Sequence, residues 1–316
     1  MFIEPVTSTE MKFLAGSALL YAACGSVSSN PDAVSSGDAP AGDGAVIDAP
    51  GSARCDPAKP FGAAMPIQVL SSSNEEFSFA MTRDELTGFV GRAVQPPTPS
   101  ATILMTHRAS LTAPFSAPDA SLTSAINGAT GDEHNPSPVA DGLILYFHRQ
   151  VGATISVFAA TRADASSAFS AGTEVTVDGS GLASALAPTI SADGQTLYWL
   201  DYSDYGKVFA ATRGSSPTAF VNKRSAATMA IGTSPVLSTD ELTLYYASPD
   251  GASVLVSTRA RKTDQFGTGV PLDDNVNSTA NESPVALTAD GCVLYISSDR
   301  PGGVGGYDLW EAHRPL

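Results

Sequence analysis

The sequence is short of positive charge. Seventeen lysines and arginines stand against 32 aspartates and glutamates, a net charge of −15. Phosphate contacts need a basic face, so the balance excludes nucleic acid as a partner. Adhesion to an anionic bilayer through charge is excluded on the same ground. Apolar runs of the roughly 18–20 residues that a spanning helix needs are missing, and so is helical periodicity. The four histidines, His107, His134, His148 and His313, show no close metal-ligand spacing. No G-x-S-x-G nucleophile elbow occurs. Neither a metal nor an organic cofactor is expected. Cysteine is scarce too, with Cys24, Cys55 and Cys292 alone. What is present, 43% hydrophobic and 16% charged residues, suits a globular protein with a sizeable core.

One membrane-directed signal lies near the N-terminus. MKFLAGSALLYAACGS, residues 11–26, sets a lysine, a short apolar run and small residues before Cys24, the layout of an export signal. Residues 1–10 are acidic and unlike such a start, so Met11 reads as the true first residue. Ala22-Ala23-Cys24 resembles a bacterial lipobox, with Tyr21 where the family usually has Leu. The resemblance implies a lipid on Cys24 and an envelope location, with the membrane reached through that anchor alone. The competing reading is a buried N-terminal helix with a core cysteine. Residues 25–54 hold Gly, Ser, Ala, Pro and aspartates without an aromatic. Such a segment buries too little apolar surface to offset its conformational entropy, so 1–24 reads as signal and 25–54 as tether.

From residue 55 to 316 the chain repeats itself. An aspartate turn followed by an apolar strand recurs as TRDELTGFV, VADGLILYF, SADGQTLYW, STDELTLYY and TADGCVLYI. The turn aspartates are Asp84, Asp141, Asp193, Asp240 and Asp290, and a turn-forming role suits five copies better than one active site does. A second signature ends at Arg108, Arg162, Arg213, Arg259 and Arg314. The first four of these precede Phe115, Phe169, Phe220 and Phe266 at one constant offset. Short strands and turns at a period of about 50 residues predict an all-β propeller, one four-stranded sheet per blade. Five units are visible, and a six-bladed ring is the alternative.

SPVALTADGCVLYISSDRPGGVGGYDLWEA, the last unit, resembles the WD40-like PD40 repeat of TolB-type envelope propellers. The resemblance covers residues 61–316. It implies a non-enzymatic, monomeric module that binds an envelope protein or peptidoglycan-associated partner.

The last unit ends without an outer strand, and FGAAMPIQVL (61–70) offers one, because Arg54 precedes Phe61 at the repeat's own offset. Exchange of that strand between the termini removes exposed sheet edges. Cys55 follows Arg54, and Cys292 opens the second strand of the same blade. Antiparallel neighbours bring those positions together, which predicts a Cys55–Cys292 disulfide across the seam. Two unrelated buried cysteines are the other reading.

Candidate chemistry is sparse. Asp201 and Asp204 in LDYSDYG reach the funnel or a loop rim, and His107 and His313 hold equivalent positions in neighbouring blades. One residue of each aromatic pair in Tyr146-Phe147, Tyr198-Trp199 and Tyr245-Tyr246 is expected to fill the space between blades. Loop 91–101 is the expected contact surface. The alternative function is a secreted carbohydrate-active enzyme, a glycosidase-like propeller with carboxylates in its funnel.

Overall fold

The computed structural model describes residues 54–94, 100–128, 130–204, 206–230 and 235–316. The chain divides into two units, Met1–Ser52 and Ala53–Leu316. The export signal, the Cys24 lipidation site and the tether up to residue 53 lie outside the described residues, as do residues 95–99 of the expected contact loop.

The second unit is an all-β propeller of five antiparallel sheets. Blade 1 pairs Glu75–Met81, Thr87–Val94 and Ser100–His107, with an isolated bridge between Met105 and Asp119 in place of an outer strand. Blade 2 follows with Asp132–Pro138, Ile144–Val151, Thr154–Thr161 and Thr173–Glu174. Blade 3 is Ala185–Ile190, Thr196–Asp201, Lys207–Ser216 and Ala219–Ala230, and two short strands extend its edge to six. Blade 4 is Val236–Leu237, Thr243–Ala247, Val254–Thr258 and Val270–Pro271. Blade 5 is Glu282–Leu287, Val293–Ser298 and Asp308–His313. The expected four strands per blade are therefore realised in blades 2, 4 and 5. Among the described residues the one α-helix is a single turn, Ser124–Asn127.

Blade 5 takes its outer strand from the start of the domain. Met65 and Pro66 pair antiparallel with Glu311 and Trp310. The pairing is two residues long rather than the expected 61–70, and the flanking chain is held by single bonds such as Ile67 N–H to the Leu309 carbonyl, 2.9 Å. A disulfide joins Cys55 to Cys292 beside this seam, with Cα atoms 5.6 Å apart.

Each sheet is sandwiched between two others, so its second strand is buried on both faces. In Thr196–Asp201 every residue after the first is buried. The five turn aspartates each accept a backbone N–H two residues on. The donors are Leu86, Leu143, Gln195, Leu242 and Cys292, at 2.9–3.0 Å. This is the Asx turn, a local mimic of a backbone turn, and it fixes the first hairpin of every blade.

The repeat arginines serve the packing between blades. Arg108, Arg162 and Arg259 stack on Phe115, Phe169 and Phe266 at 4.3–4.6 Å. Arg314 stacks on Phe61 at 4.0 Å. Phe61 therefore completes the repeat for the C-terminal arginine, whereas Arg54 leaves the pattern and pairs with Glu85 and Asp290. Arg213, Arg259 and Arg314 also donate to the hydroxyls of Tyr146, Tyr198 and Tyr245 in the preceding blade, at 2.9, 2.9 and 3.1 Å. One member of each aromatic pair thus fills the gap between blades and receives a charged donor there.

Candidate functional site: the central channel

The first strand of each blade lines a central channel. Its lower end carries the aspartate turns, and its upper end is where the first strands begin. A chamber of about 170 Å³ occupies the lower half. Its walls are mostly neutral: Pro136, Ser137, Pro188, Thr189, Pro235 and Ala286 are representative. The strands are stitched together around it. Ser137 Oγ accepts the Ile190 N–H at 2.9 Å, Thr189 Oγ1 donates to the Pro235 carbonyl at 2.7 Å, and Thr239 Oγ1 donates to the Ala289 carbonyl at 2.8 Å.

Two acidic residues reach this chamber, Glu85 and Glu241. Both stand where other blades have glycine in the turn, with φ of 59°. Both are fully engaged. Glu85 takes Arg54 at 2.7 Å and Arg108 at 3.2 Å. Glu241 takes the Tyr198 hydroxyl at 2.7 Å and Lys262 at 2.7 Å. They staple blade 1 to blade 5 and blade 4 to blade 3, and neither is free to act on a ligand.

Three more carboxylates are buried near the upper end. Glu76, Glu133 and Glu282 sit at matching positions of blades 1, 2 and 5. They receive Arg92, Arg149 and Arg300 at 2.6, 2.7 and 3.0 Å. Burial raises the carboxyls of Glu76 and Glu133, and the arginines pull the other way. A serine four residues earlier supplies both its N–H and its hydroxyl to the glutamate in two cases, Ser72 to Glu76 and Ser278 to Glu282. In blade 2 that position is Ala129, and Glu133 Oε2 is buried without a hydrogen-bond partner among the described residues. These three pairs are structural.

One step outward, the mouth is different. Glu75 and Asp132 begin the first strands of adjacent blades, and Asn281 immediately precedes that of blade 5. Glu75 forms no ion pair or hydrogen bond with any described side chain, and Asp132 accepts the Ala101 N–H at 2.9 Å. Just inside them lies a row of rings. Phe77 meets His134 at 4.9 Å, and His134 stacks on its cross-strand partner His148 at 4.8 Å with planes 5° apart. His148 Nδ1 accepts the N–H of Ala187 from blade 3 at 3.3 Å, which fixes that nitrogen as the unprotonated one. Burial lowers the pKa of His134 and, together with the neighbouring His134, lowers that of His148 well below the usual imidazole value.

The remaining sequence candidates each have local partners. Asp201 is tied to Ser203 N–H and Oγ and to Lys223 Nζ at 3.5 Å, while Asp204 pairs with Lys207 at 3.0 Å. His107 contacts Ser116, and His313 pairs with Glu311. No cluster of three or more metal-ligating side chains occurs among the described residues. Glu75, Asp132 and the Phe77–His134–His148 row were not singled out by sequence. The signal that marks them is the alignment of EEF (75–77), DEH (132–134) and NES (281–283) at the strand starts.

No family model matches the chain, and no curated protein matches it in sequence. Solved structures do match in shape. The GH43_1 enzyme from Xanthomonas citri complexed with xylotriose overlaps 80% of this chain and 90% of its own, with TM-score 0.58 and 12% identity. The same enzyme complexed with xylose gives TM-score 0.57 over the same shares. TolB from Acinetobacter baumannii is also among the matches, at TM-score 0.45 and 15% identity over 78% of this chain and 56% of TolB. The expectation of a non-enzymatic module is overturned by these comparisons. The GH43_1 structures that overlap 80% of the chain at TM-scores of 0.57 and 0.58 are of an enzyme, and at 12% identity that likeness shows the propeller fold.

Proposed function

We propose that the chain is a carbohydrate-active enzyme, glycosidase-like, that engages an oligosaccharide at the upper mouth of its channel. The observation that carries this reading is the overlap, across four-fifths of the chain, with an enzyme solved with xylotriose in place. The mouth supplies groups of the right chemistry. Glycosidic cleavage needs two carboxyls, one to protonate the leaving oxygen and one to act as nucleophile or base. Glu75 and Asp132 begin neighbouring first strands, and neither is consumed by an ion pair. Phe77 and His134 add flat, partly exposed ring surface beneath them, suited to a sugar face. Export with a lipid on Cys24 belongs to the same proposal and rests on residues 11–26 alone.

Incubation of the full chain with xylotriose and related xylo-oligosaccharides, with detection of new reducing ends, tests the reading. Glu75→Gln and Asp132→Asn are each expected to lower the rate by about 10²-fold or more, the usual scale for loss of a general acid or base. Their melting temperatures should stay near that of the parent. If the parent neither releases sugar nor binds xylotriose in calorimetry, the proposal fails.

A further inference from the structure

The interfaces between blades follow one plan, and the interface between blades 5 and 1 departs from it. Elsewhere the repeat arginine of one blade donates to the tyrosine of the blade before, as Arg213 does to Tyr146, Arg259 to Tyr198 and Arg314 to Tyr245. Blade 2 is a simple exception, because Phe89 stands at the tyrosine position and has no hydroxyl. Blade 5 does have the tyrosine, Tyr295, and blade 1 does have the arginine, Arg108. They nevertheless form no hydrogen bond. Arg108 turns instead to the carbonyls of Glu85 and Leu111 and to Glu85 Oε2, at 2.7, 3.3 and 3.2 Å.

A cleft of about 740 Å³ opens where that contact is missing, and both Tyr295 and Arg108 line it. This volume lies within the usual range for small-molecule sites. Tyr295 is almost wholly buried, yet its hydroxyl bonds no described residue. The Arg108 guanidinium spends three of its five N–H groups on the bonds above, which leaves two. A neutral and a charged donor thus line one space, whose wall also carries the Glu85 and Glu311 carboxylates and the Arg54 and Arg314 guanidiniums. The opposite wall is apolar: Ile67, Val69, Leu111 and Phe115. Val69 and Leu111 are exposed. Glu311 is the cross-strand partner of Tyr295, and His313 Nε2 lies 3.4 Å from its carboxylate, an ion pair when the imidazole is protonated.

We propose that this cleft is a binding site for a small amphipathic carboxylate. Its apolar chain lies on Ile67, Val69, Leu111 and Phe115, and its carboxylate accepts from the Tyr295 hydroxyl and the two unspent N–H groups of Arg108. The site is separate from the channel mouth and does not depend on the carbohydrate reading.

Isothermal titration of the full chain with octanoate, and in parallel with octanol, tests it. Octanoate is expected to bind, and octanol to bind at least about tenfold more weakly, since it lacks the charge that Arg108 answers. Tyr295→Phe keeps the ring and removes the hydroxyl, so octanoate affinity should fall by about tenfold. Leu111→Glu, at an exposed position that folding does not need, should abolish binding by charging the apolar wall. Absence of octanoate binding, equal affinity for octanol, or unchanged affinity in both variants would each overturn the proposal.

Discussion

Removing the Cys55–Cys292 bridge should destabilise the propeller by several kcal/mol, although it lies beside only two paired residues of the closing strand. The bridge spans 237 residues of sequence. The chain-entropy model for a loop of that length gives about 5.5 kcal/mol at 25 °C, and native strain or residual unfolded structure commonly reduces this. The structure makes the bridge's contribution hard to replace. Once it is cut, the N-terminal strand keeps the Met65–Glu311 and Pro66–Trp310 pairs, the Arg314–Phe61 stack and the Arg54 ion pairs with Glu85 and Asp290. Of the last two, the Asp290 pair is partly exposed and contributes little, whereas the Glu85 carboxylate is buried. The perturbation is Cys55→Ala with Cys292→Ala, which removes both buried sulfurs together, so that neither partner is left as a free thiol in the seam. Urea unfolding followed by tryptophan fluorescence should show a loss of about 3–5 kcal/mol. The denaturant slope should rise as well, because an uncrosslinked unfolded chain exposes more surface. A loss below about 1 kcal/mol would refute the reasoning, and so would peptide mapping of the unreduced chain that finds both cysteines as free thiols.

Two further outcomes follow from the buried polar groups. Ser278→Ala deletes the 2.5 Å hydroxyl bond to the buried Glu282 carboxylate, and should cost about 1.5–3 kcal/mol in urea unfolding, the range for a hydrogen bond to a charged group. The stacked histidines set a pH dependence. His134 and His148 are held below the ordinary imidazole pKa of about 6.5 by burial, so the unfolded chain binds protons that the folded chain refuses. Their contribution is complete above about pH 6.5 and is lost as pH falls below it. Melting temperature should decline from pH 7 to pH 5 more steeply in the parent than in His148→Gln, whose amide oxygen still accepts the Ala187 N–H. Parallel profiles would remove the histidines as the cause.

The fold was legible because its signals are local and repeated. Asp84, Asp141, Asp193, Asp240 and Asp290 each set a turn within three residues, so the inner hairpin of every blade is written in contiguous sequence. The outer strands carry no such mark. They pair for about two residues in blades 2, 4 and 5, and nothing in the sequence warned that blade 1 would replace its outer strand with a bridge or that blade 3 would gain two strands. The glycine-rich loop 301–306 joins the second and third strands of blade 5. Gly302 alone adopts a positive φ, 107°. Gly305 is required because a side chain there would strike the carbonyls of Ser72 and Asn74 in blade 1, a contact that no local pattern announces.

The candidate site was less legible, for a related physical reason. A propeller builds its channel from one strand of each blade, so residues that meet at the mouth lie a whole repeat apart. Phe77 and His134 are separated by a blade, and His134 meets His148 only through the cross-strand register of blade 2. Repetition also hides the informative positions, since the residues that recur are those that turn and pack. Glu76, Glu133 and Glu282 recur and are bound to arginines. The residues beside these glutamates are the ones that differ between copies: Glu75, Asp132 and Asn281 before them, and Phe77, His134 and Ser283 after them. The repeat therefore specifies the scaffold, and chemistry specific to this chain is concentrated where the copies depart from one another.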